Sequence, residues 1–231
     1  ALFPRPHAPR HPYFFSEQDM VRLLHHTEGL GPTSNSPLRA EVYRLALVLL
    51  YTAGLRRGEL VRLTLADYDA AEHTLRIRAT KFHKFRLVPL SCDATHEMDA
   101  YLEARRRLPH GPNAPLLCSY CRGVRHFTGA GLAQGLCLLF RCAGVRTDTG
   151  RLPRIHDLRH SFALHALLRW YRAGIDVQAK LPALAIYMGH VSIVSTQHYL
   201  GFIEPLAQAA STLFDRHCAS MFADSSTAGG A

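Results

Sequence analysis

Ile155-His156-Asp157-Leu158-Arg159-His160-Ser161-Phe162 opens the stretch that decides this chain, and Met188-Gly189-His190 followed by Ser195-Thr196-Gln197-His198-Tyr199-Leu200 closes it. An i, i+3 pair such as His156 and Arg159 shares one face of a helix. Two donors side by side can hold an anion such as a phosphate. Taken alone, the pair reads better as a solvated helix face with one satisfied histidine. The tyrosine some way downstream adds a nucleophile only if other parts of the chain bring charge to it.

The bulk properties allow that. The chain has 231 residues, 48 % of them apolar, enough to bury a core in one large domain or two small ones. Its net charge of +9 and pI near 9.6 point to a polyanionic partner. No apolar run reaches the roughly 18 residues of a membrane span. The first residues, Ala1-Leu2-Phe3-Pro4-Arg5-Pro6, lack the form of a signal peptide. The six cysteines are scattered, which reads as reduced thiols in a cytoplasmic protein. Cys118-Ser-Tyr-Cys121 has the spacing of half a zinc site, but no second pair matches it. Neither a metal nor any other cofactor is expected.

Working outward, residues 1–12 are rich in Pro, His and Arg and read as a linker or arm. Ser16 with Asp19 marks a helix start. Pro37 is placed in the first turn of a long helix carrying Val42, Leu45 and Leu49, with Gly54 as its C-terminal stop. A short helix follows from near Arg57. Thr74–Arg78 and Phe85–Leu90 alternate apolar and polar residues and form a hairpin, with Lys81 in a basic turn. Asp93–Leu108 is expected to be helical, with an exposed basic end at Arg105-Arg106-Arg107. Leu116–Cys118 reads as a short strand and Phe127–Ala143 as a helix. Ile155–Ala173, Gln178–Gly189 (Pro182 in its first turn) and Pro205–Met221 are the remaining helices, before a polar tail at 223–231. The fold class is α+β, mostly helical with a small antiparallel sheet.

Read together, the boxes acquire meaning. Thr52-Ala-Gly-Leu-Arg56-Arg-Gly-Glu59-Leu60 precedes Lys81 and Arg86-Leu-Val-Pro-Leu90; then come His156-Asp-Leu-Arg159-His160, Met188-Gly-His190 and Tyr199. This order closely resembles the catalytic domain of the tyrosine recombinase/integrase family, over about Ser16 to Phe214. Met188 stands where the family usually has Leu, a volume-conserving swap. The chain between Leu167 and Met188 is long, and Arg169-Trp170-Tyr171-Arg172 looks like relatives carried on transposons and plasmids.

The resemblance implies a site-specific recombinase that cuts and rejoins DNA through a 3′-phosphotyrosine, without metal or ATP. Tyr199 would be the nucleophile, Arg56 and Arg159 the phosphate clamp, and Lys81 the general acid, with Lys84 its competitor. His156 would be proton acceptor or phosphate donor, and His190 would bond a non-bridging oxygen. Glu59 would orient Arg56, and His160 would buttress the site. His165, His198, Tyr187, Tyr171 and Tyr120 have weaker claims. Residues 13–222 are expected to form the catalytic domain. A separate N-terminal helical domain would be missing, leaving a fragment or a minimal member. Double-stranded DNA with a specific core site is the expected partner, in a synaptic tetramer, in the cytoplasm of a bacterium at the nucleoid. The rivals are a type IB topoisomerase, a non-catalytic DNA-binding regulator of the same fold, and a zinc module on Cys118 and Cys121.

Overall fold

Helical and strand periodicity alternate along the chain as the sequence anticipates, and a computed structural model shows how the elements assemble. It describes residues 11–78, 85–108, 111–120, 122–190 and 194–202. The expected linker before residue 11, the hairpin turn with Lys81 and Lys84, Cys121, the Pro205–Met221 helix and the 223–231 tail lie outside these residues. The chain divides into two units, Ala1–Phe162 and Ala163–Ala231.

In the first unit, α1 (Glu17–Glu28) starts on a reciprocal cap: Asp19 N–H donates to Ser16 Oγ at 3.1 Å and Ser16 N–H to Asp19 Oδ2 at 2.9 Å. α2 (Arg39–Thr52) buries Val42, Leu45, Ala46 and Leu49, and also Leu47, Val48 and Leu50. A helix apolar on nearly every side is a core element. It begins later than expected: Pro37 precedes it, and Leu38 occupies the cap. The Tyr43 side chain reaches from it to α5 (Gly129–Cys142). There Gly135 is required by close approach, because a methyl group would overlap the Tyr43 ring.

After the single-turn α3 (Arg57–Leu60), the chain builds a three-stranded antiparallel sheet of β1 (Tyr68–Asp69), β2 (Thr74–Arg78) and β3 (Phe85–Pro89), in that order. Leu75 faces Val88, and Ile77 faces Arg86. Leu75, Ile77 and Val88 are buried while Arg76, Phe85 and Leu87 are exposed, the two-residue alternation of a half-covered sheet. α4 (Cys92–Arg105) follows.

Two expectations fail here. Arg105 is not at an exposed basic end; it is 1 % exposed and donates to the Leu108 carbonyl at 3.5 Å. The buried stripe Ala94, Met98, Tyr101 runs on to position 105 by helical period, and that overrides the pull of solvent on a charge. The strand expected at Leu116–Cys118 is instead β4 (Cys118–Tyr120), paired with β5 (Val124–His126) in a second hairpin, and α5 starts only after its Thr128 cap. Arg122 and Gly123, both at positive φ, make the turn.

α6 (Ile155–Arg172) begins in the first unit and ends in the second; Arg169-Trp170-Tyr171-Arg172 is its last turn. In the second unit Asp176 caps α7 (Val177–Met188) through the Gln178 and Ala179 amides at 2.8 and 3.3 Å. Pro182 sits in the second turn of α7, not the first, so the helix lacks the bond that residue 182 would donate to Gln178. Gly189 ends α7 in the left-handed conformation, φ 67°, and Met188 fills a buried position. The one-turn α8 (Val194–Gln197) follows. No helix among the described residues is long and apolar enough to cross a membrane.

Candidate active site

The first unit gathers one set of the expected residues around the loop after α2. Gly54 adopts φ +58°, a conformation that L side chains resist. This turns its carbonyl to accept a hydrogen bond from Arg159 Nη1. Arg159 is 1 % exposed, so this bond offsets part of its burial cost. Phe162, one turn on along α6, covers Gly54 so closely that a Cβ there would overlap its ring. Gly54→Ala should therefore meet both backbone strain and overpacking, lowering Tm by about 5–15 °C in a thermal melt. Adding Phe162→Ala should remove the overlap and leave the backbone strain; a Gly54→Ala melt equal to wild type would contradict the arrangement.

Two residues past Gly54, Arg56 caps α3. Its amide donates to Glu59 Oε2 at 2.9 Å and its Nη1 to Oε1 at 2.8 Å. Glu59 is thus fixed against Arg56, and the Gly54–Arg56 segment links both arginines to one loop. The Glu59 side chain is 8 % exposed, against 38 % for Arg56. Burial pushes the Glu59 pKa up, but bonds from Arg86, the Arg56 amide and the Arg56 side chain outweigh it and bring the value to about 2. Arg86 was not anticipated. It sits on β3 and donates to Glu59 Oε1 at 3.0 Å and Oε2 at 2.9 Å.

His156 lies on the open side of α6, with its ring against that of His160 at 4.6 Å, edge to face. Desolvation first, then the charge of Arg159, hold its pKa below the ordinary 6.5; Asp157 opposes them, and Arg154 and Arg56 add to the lowering. At neutral pH the imidazole is therefore uncharged and has a lone pair to offer. Asp157 itself is occupied, bonding the Arg154 amide at 2.8 Å and the Arg154 Nη2 at 2.8 Å.

The second unit holds the rest. His190 follows the left-handed Gly189, and its amide donates to the Ala185 carbonyl at 2.8 Å. Its Nδ1 lies 2.7 Å from Thr196 Oγ1, which fixes the ring. Thr196 is fully buried, and its carbonyl accepts the Tyr199 amide at 3.1 Å. One threonine thus orients the histidine and anchors the tyrosine. The sequence gives no sign of this role, because a buried Thr looks like any other. Tyr199 is 2 % exposed, with the His198 ring 4.1 Å away. Cys118 is buried beside Tyr101, and burial raises its thiol pKa.

Arg56, Glu59, His156, Arg159 and His160 are therefore grouped in one unit, and His190 with Tyr199 in the other. Lys81 lies outside the described residues. The phage integrase family matches residues 13–202. The chain belongs to this family. Its relatives carry the names integrase and tyrosine recombinase. The integrase/recombinase y4rE of Sinorhizobium fredii is 35 % identical over 213 residues, covering 92 % of this chain and 67 % of that protein. Tyrosine recombinase XerC of Pelotomaculum thermopropionicum is 34 % identical, covering 82 % of this chain and 57 % of its own. The chain thus spans about two thirds or less of the length of these relatives.

Solved structures agree on the phage integrase fold. A XerA recombinase matches with TM-score 0.63 at 24 % identity, over 85 % of this chain and 61 % of its own. The catalytic domain of bacteriophage HP1 integrase matches with TM-score 0.52 at 22 % identity, over 87 % of this chain and 95 % of its own.

Proposed function

We propose that the chain is the catalytic part of a site-specific DNA recombinase, comprising residues 13–222, that breaks and rejoins strands through a covalent tyrosine. The observation that carries this reading is the arginine pair tied to the Gly54 loop beside an uncharged His156. Arg56 and Arg159 bind the non-bridging oxygens of one phosphate, where charge builds in the five-coordinate transition state. The Tyr199 oxygen attacks phosphorus; the Oη–P bond forms and the P–O5′ bond breaks. A phenol of pKa about 10 must shed its proton as it attacks, and His156 accepts it. Lys81, between β2 and β3 in sequence, protonates the departing 5′ oxygen. His190 donates to a non-bridging oxygen, and His160 supports His156. The reverse steps reseal the strand, so the reaction calls for no metal, no nucleotide and no water.

The net charge supplies sequence-neutral phosphate binding, so affinity for double-stranded DNA falls steeply with salt. Relatives solved in this fold include XerH bound to its difH substrate and a Tn1549 transposon integrase bound to transposon end DNA. By analogy the partner is duplex DNA with a specific core site, held by a synaptic tetramer in the cytoplasm at the nucleoid, on a mobile element.

A plasmid carrying two core sites should give recombinant circles, while a supercoiled plasmid without a site should stay supercoiled. Relaxation of the siteless plasmid would favour the topoisomerase reading. No covalent adduct on any site would favour a DNA-binding regulator. The lowered His156 pKa adds a sign: the uncharged base is lost as pH falls through a value below 6.5. Cleavage rate should therefore rise with pH along an acid limb centred below 6.5, and His156→Asn should abolish that limb. An acid limb that survives the substitution would remove His156 from the role.

A further inference from the structure

Glu59 has a second cation that the reaction scheme does not use. Arg86 meets both carboxylate oxygens in a fork, at 3.0 and 2.9 Å. Arg56 takes one bond to each oxygen as well, from its Nη1 and its amide. The carboxylate thus accepts four bonds, the capacity of its lone pairs. Exposure separates the two cations: 16 % of the Arg86 side chain is exposed, against 38 % for Arg56. Strand alternation turns Arg86 to the same face as buried Val88, so the sheet holds it rigidly. Arg86 is the inner partner of Glu59 and Arg56 the outer one.

We infer that Arg86 is a positioning residue: by forking onto Glu59 from the inside, it holds Arg56 to a single guanidinium bond with that carboxylate and leaves the rest of the Arg56 guanidinium for the phosphate. The inference rests on the role proposed above for Arg56. With both arginines present, the trio carries net charge +1. Without Arg86, a buried carboxylate faces one cation only, and attraction is strongest where water is excluded. Arg56 then turns inward into a fork with Glu59, and its charge at the phosphate is cancelled.

The test is single-turnover cleavage at saturating DNA, using the full chain and a nicked duplex with the core sequence that wild type traps from a randomised pool. Arg86→Gln should slow cleavage by about 10- to 100-fold, the scale of a displaced reacting group, with a smaller change in DNA affinity. Arg86→Lys, which keeps the charge without the fork, should fall between. The deciding variant is Arg86→Gln with Glu59→Gln. Removing the carboxylate charge leaves Arg56 nothing to pair with inwardly, so the double variant should be faster than Arg86→Gln alone. A purely architectural tie between β3 and α3 predicts no such rescue.

Rates are referred to the folded fraction by thermal melt. If Arg86→Gln does not fold, Arg86→Lys with and without Glu59→Gln makes the same comparison. Arg86→Gln at wild-type rate, or a double variant no faster than the single, would overturn the inference. Arg56→Ala run alongside separates the two levels: wild-type cleavage by that variant would overturn the role of Arg56 itself.

Discussion

Tyr199→Phe should form no covalent adduct with DNA while binding DNA as wild type does. The substitution deletes one oxygen, the atom proposed to join phosphorus. The ring is 2 % exposed, and its backbone amide is held by the Thr196 carbonyl, so phenylalanine keeps the packing and the anchor. Loss of a buried hydroxyl costs about 1 kcal/mol, too little to unfold the chain. The proposed phosphate contacts belong to arginines on other elements, so a gel shift should be unchanged at matched salt. Residual cleavage by Tyr199→Phe would assign the nucleophile elsewhere. Tyr187, on α7, and Tyr171, at the end of α6, are the other tyrosines to examine.

Arg159→Lys should slow strand cleavage by about 100-fold or more, the cost of losing one preorganised donor in a transition state. The charge is retained, so a simple need for positive potential would predict little change. Geometry predicts otherwise. Arg159 is 1 % exposed and bonds the Gly54 carbonyl with one nitrogen, and in the proposed clamp its other nitrogens are offered to the phosphate. An ammonium is a point charge on a flexible stem and cannot present two planar edges. It would either leave the Gly54 carbonyl unsatisfied, at about 1–3 kcal/mol, or abandon the phosphate. A Lys variant within a few-fold of wild type, at equal Tm, would show that charge alone suffices.

Most of the fold was legible because periodicity carries it. Val42, Leu45 and Leu49 of α2 and the Thr74–Arg78 and Phe85–Pro89 alternation follow patterns set by helix and strand geometry. The failures have two causes: tertiary contact that overrode a local signal, and strands too short to carry one. Arg105 looked like a favourable charge at a helix end and is buried, because the apolar stripe of α4 continues onto it. The β4–β5 hairpin has three-residue strands, too short for alternation to register.

The site divides in the same way. The Arg56–Glu59 contact was readable because residues three apart on a helix turn must meet. Arg86 reaches the same carboxylate from 27 residues away, and no spacing rule exposes that. The Arg159 bond to the Gly54 carbonyl spans 105 residues; Gly54 looked like a helix stop and also orients Arg159.

The most direct test is covalent trapping on nicked duplexes with a randomised core, where the short 5′ product diffuses away and religation is blocked. The trapped complexes are sequenced for their DNA and digested for their peptide. The account predicts enrichment of one core sequence, with DNA joined by its 3′ phosphate to the peptide containing Tyr199. Absence of any adduct from the whole protein, or linkage to a different residue, would contradict it.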